Sequence, residues 1–143
     1  MKVVVDTNVL VAGLLSPFGP PGEIVRMIAS GTLQVCFDAR ILTEYEDVLA
    51  RPKFQFDREH TQILLKQIGA EGLIVAAEPL PSRLPDPDDE PFLAVALASH
   101  AHCLVTGNIK HFPPARRQGA IVLSPGEFLD SLRKDARSRT RKG

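Results

Sequence analysis

Carboxylate side chains occur at three places in the sequence from which they could share one site. Asp6 directly follows three valines, Glu44 lies in a predicted helix, and Asp89 belongs to an acidic loop. Hard cations such as Mg²⁺ and Mn²⁺ choose oxygen ligands and commonly combine a few carboxylates with waters and phosphate oxygens. These residue types therefore predict a divalent-metal site that can also bind a phosphate group.

Asp6 stands at the end of a predicted strand, residues 3–5. In an open parallel sheet, ligands bind outside the carboxyl ends of the strands, so Asp6 is expected at the edge where sites form. The helix that follows offers unpaired N–H groups, which favour an anion. The alternative is that Asp6 only caps this helix, and the residue by itself leaves both interpretations open.

Glu44 lies beside the apolar face of its predicted helix, because it is three residues from Ile41 and four from Val48. Glu46 and Asp47 are expected to point more toward water. A carboxylate drawn toward the interior needs a compensating charge, and a bound cation can supply it. The alternative is a glutamate with a packed stem and a solvated head.

The acidic loop, residues 79–91, contains four acids within residues 86–90. Such a run repels itself unless it is solvated or bridged by a metal. Asp89 lies just before Pro91, which suits the first turn of a helix, and both Asp86 and Asp89 could point at one location. A solvated surface loop is the alternative.

A fourth candidate, Asn108, follows the predicted buried strand 103–105 and the residues Thr106 and Gly107. It could offer a neutral oxygen ligand, although a turn asparagine is the simpler interpretation. His111 could contact phosphate, but we interpret it as a lone surface histidine. The sequence has no zinc-type Cys/His spacing and no phosphate-cradling glycine loop.

The elements that must position these residues alternate between apolar strands and amphipathic helices, which is typical of an α/β domain with a largely parallel sheet. The predicted strands cover residues 3–5, 33–37, 73–75, 103–105 and 120–123, and the predicted helices cover residues 9–15, 23–29, 39–49, 58–68 and 92–99. A capping box at residues 124–127 predicts one further helix.

Length and composition bound the class of protein. A chain of 143 residues with 44% hydrophobic content fits one globular domain. No apolar run approaches the roughly 20 residues of a membrane helix, and no signal peptide is evident. Cys36 and Cys103 lie in short apolar segments, so we interpret them as buried free thiols and predict a cytoplasmic protein.

The net charge of zero hides an asymmetry. Six basic residues and one acid follow residue 132, which leaves a body with 11 basic and 16 acidic residues. We predict a domain over residues 1–132 and a flexible basic tail over residues 133–143. The tail could engage nucleic acid or an acidic partner, or it could be a solvated, frayed end.

With these positions together, the chain resembles the PIN-domain family, and within it the toxin components of toxin–antitoxin modules. The resemblance covers most of the chain up to about residue 132 and is strongly specific because four stretches occur in the family's order. These stretches are VVVDTNVL (3–10), LTEYEDVL (42–49), DPDDEPFLAVA (86–96) and LVTGN (104–108).

The resemblance implies a three-layer α/β/α domain with a mostly parallel sheet, and an Mg²⁺- or Mn²⁺-dependent endoribonuclease. It also implies inhibition by a cognate antitoxin and formation of a homodimer. Many members carry a fourth acid where this chain has Asn108, and a further acid where His111 stands. The predicted site comprises the metal ligands Asp6, Glu44 and Asp89, the catalytic Asn108, the orienting residues Thr7, Asn8 and Thr106, and Asp86 as a possible extra ligand.

Two other functions remain as alternatives. The neutral Asn108 would also suit a catalytically weakened PIN-fold module that binds RNA or a protein partner. A phosphotransfer domain of the receiver or haloacid-dehalogenase type also has an aspartate after its first strand. The dehalogenase type expects an acid two residues later, where this chain has Asn8. A receiver expects an acidic pair near its start and a lysine after its last strand, and neither is evident.

Overall fold

Short strands alternate with helices along the chain, as the apolar pattern predicts. The computed structural model describes residues 1–142, with side chains described through residue 138. The strands are β1 (Lys2–Val5), β2 (Gln34–Phe37), β3 (Leu73–Ile74), β4 (Cys103–Val105) and β5 (Val122–Leu123). The helices are α1 (Thr7–Leu15), α2 (Pro20–Ala29), α3 (Ala39–Leu49), α4 (Arg58–Glu71), α5 (Glu90–Ser99) and α6 (Pro125–Lys142). Four short 3₁₀ helices span Pro52–Phe54, Pro87–Asp89, Ile109–His111 and Pro114–Arg116.

The five strands form one sheet in the order β3-β2-β1-β4-β5, and each neighbouring pair is parallel. Parallel neighbours need crossover connections, which the intervening helices provide on both faces of the sheet. The predicted three-layer α/β/α fold with a parallel sheet is therefore confirmed.

The strand order reverses beside β1, because the chain first runs outward to β3 and then returns to place β4 on the other side of β1. Val5 is in register with Val105, so the residues that follow, Asp6 and Thr106, leave the sheet side by side. The Asp6 N–H donates to the Val105 carbonyl at 2.9 Å, which extends the ladder by one bond. This crevice at a topological switch point is where open α/β sheets bind ligands.

The interior is built on the valines of β1, all fully buried, and on the aromatic rings that cover them. Tyr45 of α3 is completely buried, and the centroid of its ring lies 6.4 Å from that of Phe92. The Tyr45 hydroxyl donates a hydrogen bond to the Val5 carbonyl. This bond ties the middle of α3 to the end of β1, and it fixes where the neighbouring Glu44 can reach.

Both cysteines are buried and free, as predicted. They lie in β2 and β4, and burial raises the pKa of the Cys103 thiol to about 12, so this group stays protonated and packs as a small apolar side chain. None of the helices in the described part of the chain combines the length and the apolar character needed to span a bilayer.

Most predicted elements agree with the structure to within two or three residues, and the differences occur at their ends. Helix α2 begins at Pro20 rather than at residue 23, because prolines fit the first helical turn without loss of a hydrogen bond. The predicted loop 79–91 contains a 3₁₀ turn, and α5 begins at Glu90.

The last helix begins with the predicted capping box, in which Ser124 Oγ accepts from the Glu127 N–H at 3.1 Å and Glu127 Oε1 accepts from the Ser124 N–H at 3.0 Å. Helix α6 runs across the predicted boundary after residue 132. The separate, flexible tail stays a prediction, and its basic residues at positions 139, 141 and 142 lie outside the residues whose side chains are described.

Candidate active site

Asp6 lies at the carboxyl end of β1 with only 6% of its surface exposed. It is the residue before α1, yet its side chain makes no capping hydrogen bond of normal geometry. Its Oδ2 atom instead accepts from the Thr106 hydroxyl at 2.7 Å and lies 3.4 Å from the Asn8 amide nitrogen. The Asp6 side chain is therefore directed toward β4 and does not act as the N-cap of α1.

Asp38 provides an internal comparison, because it occupies the same position after β2. Its Oδ1 caps α3 by accepting from the Ile41 N–H at 3.0 Å, and its Oδ2 accepts two bonds from the Arg40 guanidinium. Both oxygens of Asp38 are thus satisfied within the protein. The two strand-end aspartates differ in their partners: Asp38 is held within α3 and by Arg40, whereas Asp6 is held from β4 by the Thr106 hydroxyl.

Thr106 organises the β4 side of the cleft. Its side chain is fully buried, donates to Asp6 and accepts from the Asn108 N–H at 3.0 Å. Across the crevice, Asn8 Oδ1 accepts from the Gly107 N–H at 3.3 Å. The two loops that follow β1 and β4 are therefore cross-linked through side chains, and these bonds hold the Asp6 carboxylate in one orientation.

Glu44 reaches the same cleft from α3. It is half-buried, and its Oε2 accepts a short hydrogen bond from the hydroxyl of Thr7, the first residue of α1. Burial raises the pKa of Glu44; the Thr7 bond lowers it, and the charges of Asp6 and Asp88 raise it further. Asp6 and Asp88 therefore lie close enough to Glu44 for their negative charges to raise its pKa. Glu46 and Asp47 are exposed, as predicted.

Asp89 enters the cleft from the acidic loop, and 8% of its surface is exposed. Its Oδ2 is the one buried side-chain polar atom, among residues with described side chains, that has no hydrogen-bond partner. His111 Nδ1 lies 3.0 Å from this oxygen, at the distance of an ion pair. Burial raises the pKa of Asp89 to about 6; the charge of Asp6 adds to this effect, and His111 opposes it.

The same pattern affects Asp6, whose pKa is raised by burial and lowered by the Thr106 bond and by the backbone amides of Asn8 and Thr7. Asp6 is thus coupled electrostatically to both Glu44 and Asp89, and the pKa values of all three carboxyl groups are raised. Among the described residues, the group whose potential ligand atoms all lie within 4.8 Å of one another is Asp86, Asp89 and His111, so Asp6, Glu44 and Asp89 are not held together that closely. Each shift is caused first by burial, and the negative neighbours of Glu44 and Asp89 add to it. A cation bound near these carboxylates would stabilise their charged forms.

Two predicted residues lie less centrally. Asn108 is exposed and precedes the 3₁₀ turn Ile109–His111 without a side-chain capping bond. Asp86 accepts from the Asp88 N–H at 2.9 Å and has a potential ligand atom within 4.8 Å of those of Asp89 and His111. The structure therefore brings the acidic loop and the loop after β4 together, as the hypothesis of a shared site requires.

Sequence reasoning gave too little weight to His111, which was interpreted as a lone surface histidine. The structure brings its imidazole against Asp89. The available signal was its place in the loop that follows Asn108, since this loop leaves the same edge of the sheet as Asp6. The anchoring role of the Tyr45 hydroxyl had no signal in the sequence beyond its position on a buried helix face.

Comparison with known proteins identifies the family. A family model described as PIN domain matches residues 2–110. No curated protein matches the chain. A crystal structure of VapBC2 from Rickettsia felis, bound to a DNA fragment from their promoter, is similar with a TM-score of 0.54 and 17% identity. The match covers 87% of this chain and 98% of that one, and at this identity it supports the fold alone. Because the family model matches most of the length of the chain, the chain belongs to the PIN-domain family.

Proposed function

We propose that the protein is a metal-dependent endoribonuclease and the toxin component of a toxin–antitoxin module. The observation that carries the proposal is the electrostatic coupling of Asp6 with both Glu44 and Asp89. A buried Asp89 oxygen that makes no hydrogen bond of normal geometry among the described residues supports it. PIN domains are generally nucleases, which supports the reaction class. The resemblance of the sequence to the toxin branch supports the toxin assignment, and the fold shared with VapBC2 is compatible with it.

The donor set fits a hard divalent cation. Asp6, Glu44 and Asp89 would hold Mg²⁺ or Mn²⁺ through carboxylate oxygens. A cation would offset the burial, and the smaller repulsion, that raise the pKa of Glu44 and Asp89. When bound, such an ion supplies a water of lowered pKa and offsets negative charge on the phosphate. Asn108 would bind a water or a phosphate oxygen through its amide.

The surrounding residues of the chain orient these carboxylates. The Thr106 hydroxyl and the Asn8 amide hold Asp6, and the Thr7 hydroxyl holds Glu44. Such outer partners fix the ligands in position and tune their basicity. No protein nucleophile is needed for this hydrolysis, in keeping with a sequence that offers no Ser/His/Asp or Cys/His arrangement.

Cleavage of a mixed RNA pool with Mg²⁺ or Mn²⁺ tests the proposal. Glu44→Gln and Asp6→Asn should abolish cleavage, whereas Glu46→Gln, which removes a carboxylate from the exposed face of the same helix, should leave it intact. Equal activity of the wild type and Asp6→Asn would refute the catalytic assignment. Circular dichroism of each variant separates loss of chemistry from loss of fold.

A catalytically weakened RNA- or partner-binding module is the second candidate, and the neutral, exposed Asn108 favours it. Calorimetric titration discriminates the two functions. Metal binding in the millimolar range or tighter together with RNA cleavage supports the nuclease. RNA binding without metal binding supports the weakened module.

The proposed partners follow from the toxin assignment. We expect a cognate antitoxin that covers the acidic cleft or inserts a basic side chain into it. We also expect the protein to form a homodimer and to be cytoplasmic. Co-expression with the product of a neighbouring short gene should relieve growth inhibition, and unchanged inhibition would contradict this partner. Deletion of residues 133–143 should reduce the salt dependence of RNA binding if the basic tail contacts phosphates.

A further inference from the structure

One group of potential ligands among the described residues includes Asp89 but neither Asp6 nor Glu44. Asp86, Asp89 and His111 each offer one ligand atom, and these atoms all lie within 4.8 Å of one another. The three residues come from two loops: Asp86 and Asp89 flank a 3₁₀ turn before α5, and His111 ends the 3₁₀ turn after β4. The fold therefore adds a nitrogen donor to a set that otherwise contains only oxygen.

The unsatisfied oxygen of Asp89 is the independent sign that a ligand belongs here. Asp89 is 8% exposed, and its Oδ2 makes no hydrogen bond of normal geometry with the described residues, although His111 Nδ1 lies 3.0 Å away. A buried carboxylate oxygen loses its hydration, and a contact with a single half-exposed imidazole offsets only part of that loss. A cation at this atom would restore the lost interaction.

The separation of the nearest two donors matches coordination to one ion. His111 Nδ1 and Asp89 Oδ2 are 3.0 Å apart. In octahedral coordination with bonds of about 2.1 Å, adjacent ligand atoms are about 3.0 Å apart and opposite ones about 4.2 Å apart. The third donor, Asp86, has a potential ligand atom within 4.8 Å of those of Asp89 and His111, which is near the separation of opposite ligand atoms.

The orientation of the remaining groups is compatible with binding. The His111 side chain is 45% exposed, so its ring can adjust to a ligand without disturbing the core. The Asp88 N–H holds one oxygen of Asp86 at 2.9 Å and thereby limits the rotation of that carboxylate. A water-accessible imidazole beside a fixed, buried carboxylate is a mixed nitrogen and oxygen donor set.

We propose that His111 is a nitrogen ligand of a divalent cation that Asp89 and Asp86 also bind, and that this imidazole makes the site prefer Mn²⁺ to Mg²⁺. Affinity for nitrogen ligands rises along the first transition series, whereas Mg²⁺ is served best by oxygen and water. The inference rests on the proposed function because Asp89 is shared with the carboxylate set. It assigns this chain's metal preference to a residue outside that set.

Calorimetry on the full-length protein without RNA tests the preference. We expect the wild type to bind Mn²⁺ more tightly than Mg²⁺. His111→Ala should weaken Mn²⁺ binding at least about tenfold and change Mg²⁺ binding less. His111→Asp, which restores an oxygen donor, should lower the ratio of the Mg²⁺ to the Mn²⁺ dissociation constant. His102→Ala is the matched control, since this exposed histidine precedes β4 at the opposite edge of the sheet.

Electron paramagnetic resonance of bound Mn²⁺ adds a readout that activity does not provide. Coupling of the manganese spin to ¹⁴N in the wild type, and its loss in His111→Ala with retained coupling in His102→Ala, supports the proposal. Equal Mn²⁺ affinity of wild type and His111→Ala, or absence of ¹⁴N coupling, overturns it. Metal-supported RNA cleavage without ¹⁴N coupling overturns this inference alone, whereas ¹⁴N-coupled binding without cleavage overturns the proposed nuclease.

Discussion

Substitution of Asp89 by asparagine should stabilise the metal-free protein at neutral pH, because it removes a buried charge that lacks a hydrogen-bond partner among the described residues. Burial and the charge of Asp6 raise the pKa of Asp89 from 3.8 to about 6. The folded state therefore retains this proton to a higher pH than the unfolded chain does. Stability is lost as the pH rises from about 4 to about 6, and the full penalty is present above that window.

The size of the effect follows from the two pKa values. At about 1.4 kcal/mol per pKa unit, the difference between 3.8 and about 6 corresponds to about 3 kcal/mol. The cleft is open to water on the side of the half-exposed His111, so screening reduces this figure, and we expect about 1–3 kcal/mol. For a domain of this size, Asp89→Asn should raise the melting temperature by about 3–10 °C.

Thermal unfolding in chelator at pH 4 and pH 7.5 measures this effect. The difference in melting temperature between Asp89→Asn and the wild type should be small at pH 4 and large at pH 7.5. Asp47→Asn, which changes an exposed carboxylate on α3, is the control. Its free energy of unfolding should stay within about 0.5 kcal/mol of the wild-type value at both pH values. Added Mn²⁺ at 100 times its dissociation constant should stabilise the wild type by about 2.7 kcal/mol and the variant less. A variant less stable than the wild type at pH 7.5 would refute the reasoning.

Three further predictions concern the supports of the site. Thr106→Val keeps the shape of a buried side chain but removes the donor to Asp6, so metal affinity measured by calorimetry should fall about tenfold to a hundredfold. Tyr45→Phe leaves the Val5 carbonyl without its partner, so the free energy of unfolding in urea should fall by about 1–3 kcal/mol. Gly22→Ala would place a Cβ 2.1 Å from a backbone carbonyl of the preceding loop, and chemical denaturation should show a loss of about 1–3 kcal/mol or more. An unchanged metal affinity, or an unchanged free energy of unfolding, would contradict the role given to the contact that the substitution alters.

The strands and helices were predictable because each is marked by local chemistry. The buried strand 103–105 and helix 39–49 agree with the structure at both ends, since their apolar runs end at clear polar or proline residues. Ends were less predictable where a proline lies in the first turn of a helix, as Pro20 does in α2 and Pro91 in α5. Helices can begin at Pro20 and Glu90 because the N–H groups of a first helical turn have no partner within the helix. The spacing of apolar residues does not predict these starts, because the first-turn residues are not part of the apolar pattern.

The sequence by itself determined the order of strands and helices, the parallel sheet and the position of Asp6 at a strand end. It determined these because periodicity and strand-end chemistry are local properties. Tertiary structure decided which carboxylates are satisfied: Asp38 is bound by α3 and Arg40, whereas Asp89 keeps a buried oxygen without a hydrogen bond among the described residues. It also decided that His111 meets Asp89, because such contacts depend on how two distant loops pack above the sheet.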